Sequence, residues 1–107
     1  MTAQQAVKKY VNNSDMVFVG GFGHAIPFSI AQEIVRQKKY GLHLIKTGAD
    51  IVFDMLVASG CAQRLTCGWY GNPGIGMSNV IRQAVESDAL ELIESTNFSM
   101  MLRLHAG

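Results

Sequence analysis

Asp15-Met16-Val17-Phe18-Val19-Gly20-Gly21-Phe22-Gly23-His24-Ala25-Ile26-Pro27 is the stretch that decides the fold class. Met16-Val17-Phe18-Val19 is an unbroken apolar run, partly β-branched, cut off by Gly20-Gly21. It is too short for a helix and predicts a strand buried on both faces, as in a parallel sheet. Pro27 then supplies a first-turn residue. Phe28, Ile30, Ala31, Ile34 and Val35 keep helical spacing to about Lys38, and Gly41 closes this helix.

The alternation continues outward on both sides. Upstream, Thr2-Ala3-Gln4-Gln5 has the form of a capping box. It predicts a short helix to about Val11, with Ala6, Val7, Tyr10 and Val11 facing inward, before Asn12-Asn13-Ser14-Asp15 breaks it. Downstream, Leu42-His43-Leu44-Ile45 reads as a second strand, and Asp50 caps a helix from Ile51 to Ala58 that Gly60 terminates. Leu65-Thr66-Cys67 with Trp69 makes a third strand, and a glycine-rich loop follows at 70–76. Ser78 caps a helix to about Glu86, Leu90 to Ile93 is a fourth strand, and Asn97 to Leu104 is helical. This order predicts an α/β domain with an open, mainly parallel sheet and flanking helices. No closing strand follows the last helix, so the sequence reads as an apparently truncated domain spanning 1–107.

Composition narrows the function classes. Charged residues make up 16% of the 107 residues, against about 25% in an average soluble protein. The apolar share of 49% excludes a disordered chain. Nine basic against eight acidic side chains, with no basic run longer than a pair, argue against nucleic-acid binding. The shortage of charge predicts a surface partly covered by another body. No apolar stretch is long enough to span a membrane. The start, Met1-Thr2-Ala3-Gln4-Gln5, lacks an apolar signal region, which predicts a cytoplasmic protein. Cys61 and Cys67 are too few and too close for a disulfide framework and lack a common zinc spacing, so they read as reduced core thiols. No metal site is expected.

Ligands of open parallel sheets bind beyond the carboxyl ends of the strands. Four loops should meet there, at 20–26, 46–50, 69–77 and 94–97, and they hold most of the eleven glycines. Gly20, Gly21, Phe22 and Gly23 can expose backbone N–H groups beside a helix start, forming an anion or oxyanion site. The competing reading is a tight turn that needs glycine for geometry alone. The dinucleotide fingerprint fails, because Ile26 stands where a third glycine belongs and Ile45-Lys46-Thr47 offers no acid. His24 reads as a donor or base, or as a structural histidine. Lys46 reads as an anion attractor, or more commonly a solvated strand-end lysine. Asp50 is a helix cap before it is an acid. The run 69–76, with Asn72 and Gly74, shapes a ligand pocket or packs at a subunit interface. Glu94 is a strand-end carboxylate facing the same edge. Phe98, Met100, Met101 and Leu102 belong to core or interface.

Asp15-Met16-Val17-Phe18-Val19-Gly20-Gly21-Phe22-Gly23 followed by Pro27 resembles the start of the α subunit in family I CoA-transferases. Gly68-Trp69-Tyr70-Gly71-Asn72-Pro73-Gly74-Ile75-Gly76, then Arg82-Gln83-Ala84-Val85-Glu86, is similar to the A-subunit branch of the glutaconate CoA-transferases. Leu90-Glu91-Leu92-Ile93-Glu94 and Leu102-Arg103-Leu104 follow at the family's spacing. The resemblance implies a fold of the NagB/RpiA/CoA-transferase type, of which residues 1–107 form the N-terminal part of an α subunit. It also implies a β-subunit partner, no permanently bound cofactor, and coenzyme A thioesters and small carboxylates as substrates. The reaction it implies passes through a glutamyl-CoA thioester on the β subunit, so no catalytic residue falls in this chain. Gly20, Gly21, Phe22, Gly23, His24, Asn72 and Gly74 are the expected substrate-binding residues. Alternatives are a hydrolytic or ring-opening relative on the same fold, a non-catalytic interaction domain from a split or truncated gene, and, weakest, a nucleotide-binding module.

Overall fold

The computed structural model describes residues 1–21, 26–72 and 76–107. Its elements run α1 (Ala3–Tyr10), β1 (Met16–Phe18), α2 (Phe28–Arg36), β2 (Leu42–Ile45), β3 (Gly48–Ala49), α3 (Ile51–Ala58), β4 (Ala62–Cys67), β5 (Trp69–Asn72), β6 (Gly76–Met77), α4 (Asn79–Glu86), β7 (Glu91–Glu94) and α5 (Asn97–Ala106). The side-chain caps expected at Thr2, Asp50 and Ser78 are present, whereas α2 ends at Arg36 and is not closed by Gly41 as expected. Thr2 and Gln5 bond reciprocally, and Asp50, Ser78 and Thr96 each accept a backbone N–H at a helix start. Each bond satisfies a donor that the first turn would otherwise leave without a partner.

Four strands form a parallel sheet in the order β1-β2-β4-β7. The order follows the chain, so every crossover steps in the same direction. Right-handed crossovers of that kind place all connecting helices on one face. Accordingly α1 packs on α2, α2 on α3 and α3 on α4, a continuous helical layer. The register row Val17, Leu44, Leu65 and Leu92 points into that layer, where it meets Ala31, Ile34, Val52, Phe53, Leu56 and Ile81 in one apolar core.

The opposite face carries two other rows, because successive side chains alternate across a strand. One is Met16, His43, Arg64 and Glu91; the other is Phe18, Ile45, Thr66 and Ile93. Met16 is 66% exposed and Phe18 52%. The expectation of a first strand buried on both faces is therefore corrected: β1 is an edge strand, covered on its helical side only. Tyr10 is also corrected, lying 63% exposed while Val7 of the same helix is fully buried.

A second, smaller sheet was not foreseen. β3 and β5 pair in parallel, and β5 pairs antiparallel with β6. They prolong β2 and β4 after short breaks, at Lys46-Thr47 and at Gly68. The expected single strand through Trp69 is thus two strands in two sheets, and part of the expected loop 70–76 is strand. Residues 73–75 lie outside the described residues. Among the described residues, no helix is long and apolar enough to cross a membrane.

Candidate active-site edge

The carboxyl ends of the strands are tied together at the break between the two sheets. The Thr47 carbonyl accepts from Gly68 N (2.9 Å) and Trp69 N (3.2 Å), while Lys46 N bonds Thr66 O and Ser95 N bonds Cys67 O. Gly68 has no room for a side chain. A Cβ there would stand 2.9 Å from the Ser95 carbonyl and 3.2 Å from that of Thr47, and would run into Asn97. The glycine is thus required by close approach of three segments.

Two cavities open beside this junction. One, of about 580 Å³, is lined by Phe18, Gly20, Gly21, Thr47, Trp69 and Asn97, with Lys46 and Gly48. All four expected loops contribute to its wall. The other, of about 610 Å³, lies between the β5–β6 hairpin and α5; Trp69, Tyr70 and Met77 face Ser95, Thr96, Ser99 and Arg103 across it, with Cys67, Leu92 and Glu94 also lining it. Trp69 borders both cavities and is 41% exposed.

Lys46 departs from the solvated lysine the sequence suggested. It is only 6% exposed, its ammonium lies 2.5 Å from Asp50 Oδ2, and it sits 5.8 Å from the centre of the Phe53 ring. Asp50 caps α3 with its other oxygen, accepting from Val52 N at 3.2 Å. One carboxylate thereby holds both the helix start and the cation at the end of β2. Sequence reasoning did not pair the two groups. The signal was present in a strand-end lysine four residues before a helix-capping aspartate.

Ser78 has a comparable double role. It accepts from Ile81 N to cap α4 and donates to Asp54 Oδ1 of α3 at 2.6 Å, so the two helices are fixed to each other beside the hairpin. Cys61 and Cys67 are buried free thiols, as expected. Burial pushes the Cys67 thiol up to about 11, which keeps it protonated and a poor nucleophile. His43 lies on the open sheet face, 2.7 Å from Thr66 Oγ1, and burial followed by the Arg64 charge lowers its pKa.

Of the expected binding residues, Gly20 and Gly21 line the first cavity, and Asn72 lies in β5, paired with Gly76. Phe22, Gly23, His24 and Gly74 lie outside the described residues. Glu94 lines the second cavity from the end of β7. Met100 is buried, whereas Phe98, Met101 and Leu102 are exposed. Sequence reasoning missed Thr47, Gly68 and Arg103. Among the described residues, no group of three or more His, Cys, Asp or Glu side chains is placed to hold a metal ion.

Comparison with known proteins agrees with this fold. A family model described as Coenzyme A transferase matches residues 1–107. The A subunit of the 3-oxoadipate CoA-transferase of Pseudomonas knackmussii is 41% identical over all of this chain, which spans 39% of that relative's length. The crystal structure of glutaconate coenzyme A-transferase from Acidaminococcus fermentans superposes with a TM-score of 0.89 at 27% identity, over 99% of this chain and 34% of that one. The decarboxylase AibA/AibB shares the fold, with a TM-score of 0.87 at 23% identity over 99% of this chain and 42% of the other.

Proposed function

Because the chain belongs to the coenzyme A transferase family and is similar to its A-type subunits, we propose that residues 1–107 are the N-terminal part of a CoA-transferase α subunit. With a β subunit it moves coenzyme A between an acyl-CoA thioester and a small carboxylate. The observation that carries this reading is the first cavity, where Gly20 and Gly21 meet the Thr47 and Trp69 segments at the carboxyl edge. The names of two relatives specify 3-oxoadipate and glutaconate, both dicarboxylic acids, and a dicarboxylate is the acyl class proposed here.

The reaction is divided between subunits. A β-subunit glutamate attacks the thioester carbonyl and expels CoA thiolate, leaving a mixed anhydride between the acyl group and the glutamyl side chain. The thiolate then attacks the glutamyl carbonyl, which releases the acyl group as its carboxylate and forms the glutamyl-CoA thioester. The acceptor carboxylate reverses these steps. Each passes through a tetrahedral oxyanion, which preorganised N–H donors stabilise. This chain contributes a wall and amide donors from Gly20, Gly21, Phe22 and Gly23, with His24, Asn72 and Gly74 lining the substrate path. Coenzyme A enters as substrate, with no permanently bound cofactor, and the assembly is a cytoplasmic hetero-oligomer.

The test is reconstitution. The chain alone should exchange no CoA between an acyl-CoA and a free carboxylate, and adding a CoA-transferase β subunit, with the remainder of the α fold, should restore exchange. Rapid exchange by the isolated chain would overturn the division of labour. Free CoA released without an acceptor would assign the fold to thioester hydrolysis instead.

A further inference from the structure

The second cavity is lined by a cation, Arg103, for which no ion pair is found among the described residues. Thr96, Ser99 and Arg103 line it from α5 and its cap, and their spacing of three and then four places them on one stripe of the helix. Thr96 and Ser99 are occupied with capping: Thr96 Oγ1 accepts from Ser99 N at 3.0 Å and donates to Ser99 Oγ at 2.9 Å. Arg103 forms no ion pair or hydrogen bond among the described residues. The other cation lining these cavities, Lys46, is held by Asp50. Trp69, Tyr70 and Met77 line the same cavity as Arg103.

We propose that Arg103 receives the remote carboxylate of the acyl chain, whose methylene portion lies along Trp69 and Met77. A guanidinium binds a carboxylate through two parallel N–H donors, which fixes orientation as well as charge. Glu94 lines the same cavity and opposes a dianion more strongly than a monoanion, which favours a carboxylate over a phosphate. Arg103 is then a specificity-determining residue, distinguishing dicarboxylic from monocarboxylic acyl groups. The substrate named here rests on the transferase reading, but the site is testable without turnover.

Trp69 is the single tryptophan of the chain, so its fluorescence reports on the two cavities it borders. The 107-residue chain is titrated with glutarate, hexanoate and neutral hexanamide, and separately with inorganic phosphate and coenzyme A. Both acids should change Trp69 emission saturably and hexanamide should not. Arg103→Gln should weaken acid binding about tenfold, with Arg103→Lys between the two. Arg103 is exposed, so circular dichroism should show both variants folded. No saturable response to either acid, or an unchanged response in Arg103→Gln, would overturn the site. Tighter binding of phosphate or coenzyme A than of the acids would overturn its assignment to a carboxylate. Arg103-dependent acid binding in a chain that supports no transfer on reconstitution leaves the site standing while the transferase reading falls. Transfer in which Arg103→Gln leaves the preference for dicarboxylates unchanged does the reverse.

Discussion

At the residue scale, the ion pair of Lys46 and Asp50 does more structural work than its two charges suggest. Both side chains are largely shielded from water, so removing one leaves the other charged without compensation. Lys46→Met should cost about 3–5 kcal/mol, read from urea unfolding. The double variant Lys46→Met with Asp50→Asn should recover much of that loss, since asparagine still caps the helix. Cys67 gives a pH-dependent prediction. Its folded pKa of about 11 lies above the ordinary value of 9.0, so the folded state holds the proton more tightly. Its contribution to stability is complete below pH 9 and is lost as pH rises through about 11. Alkylation of Cys67 by iodoacetamide at about pH 8 should accordingly be slow in the folded chain and fast in urea.

At the scale of elements, caps and connections were more legible than strand environments. Thr2, Asp50 and Ser78 were readable because a capping residue and its N–H partner are three positions apart at most. The split of β4 from β5 was not readable, because it depends on Gly68 being pressed between Thr47, Ser95 and Asn97, segments remote in sequence. Gly68→Val should therefore open the junction and shift Trp69 emission to the red, with the far-ultraviolet helical signal retained. Ser78→Ala removes both a cap and the bond to Asp54, and should lower unfolding free energy by about 1–2 kcal/mol. Gly20 and Gly21 line a cavity at the carboxyl edge, a position that follows from strand direction alone. Arg103 was invisible as a site residue, since its exposure to a cavity depends on where α5 docks.

At the scale of the whole molecule, the shortage of charge in the sequence is localised. One sheet face is sealed by α1 to α4, and the other carries Met16 and Phe18 in the open at its β1 edge, with the Arg64–Glu91 ion pair toward the opposite edge. Replacing Met16 and Phe18 together by serine should reduce concentration-dependent association in sedimentation without loss of the fold, because neither side chain belongs to the buried core. The same strand order has a consequence for how the chain is made. β1, β2, β4 and β7 join the sheet in the order in which they are synthesised, each beside the strand laid down one unit before. Each strand therefore pairs with the one a single crossover earlier in the chain, so the loop closed by each pairing never exceeds one crossover.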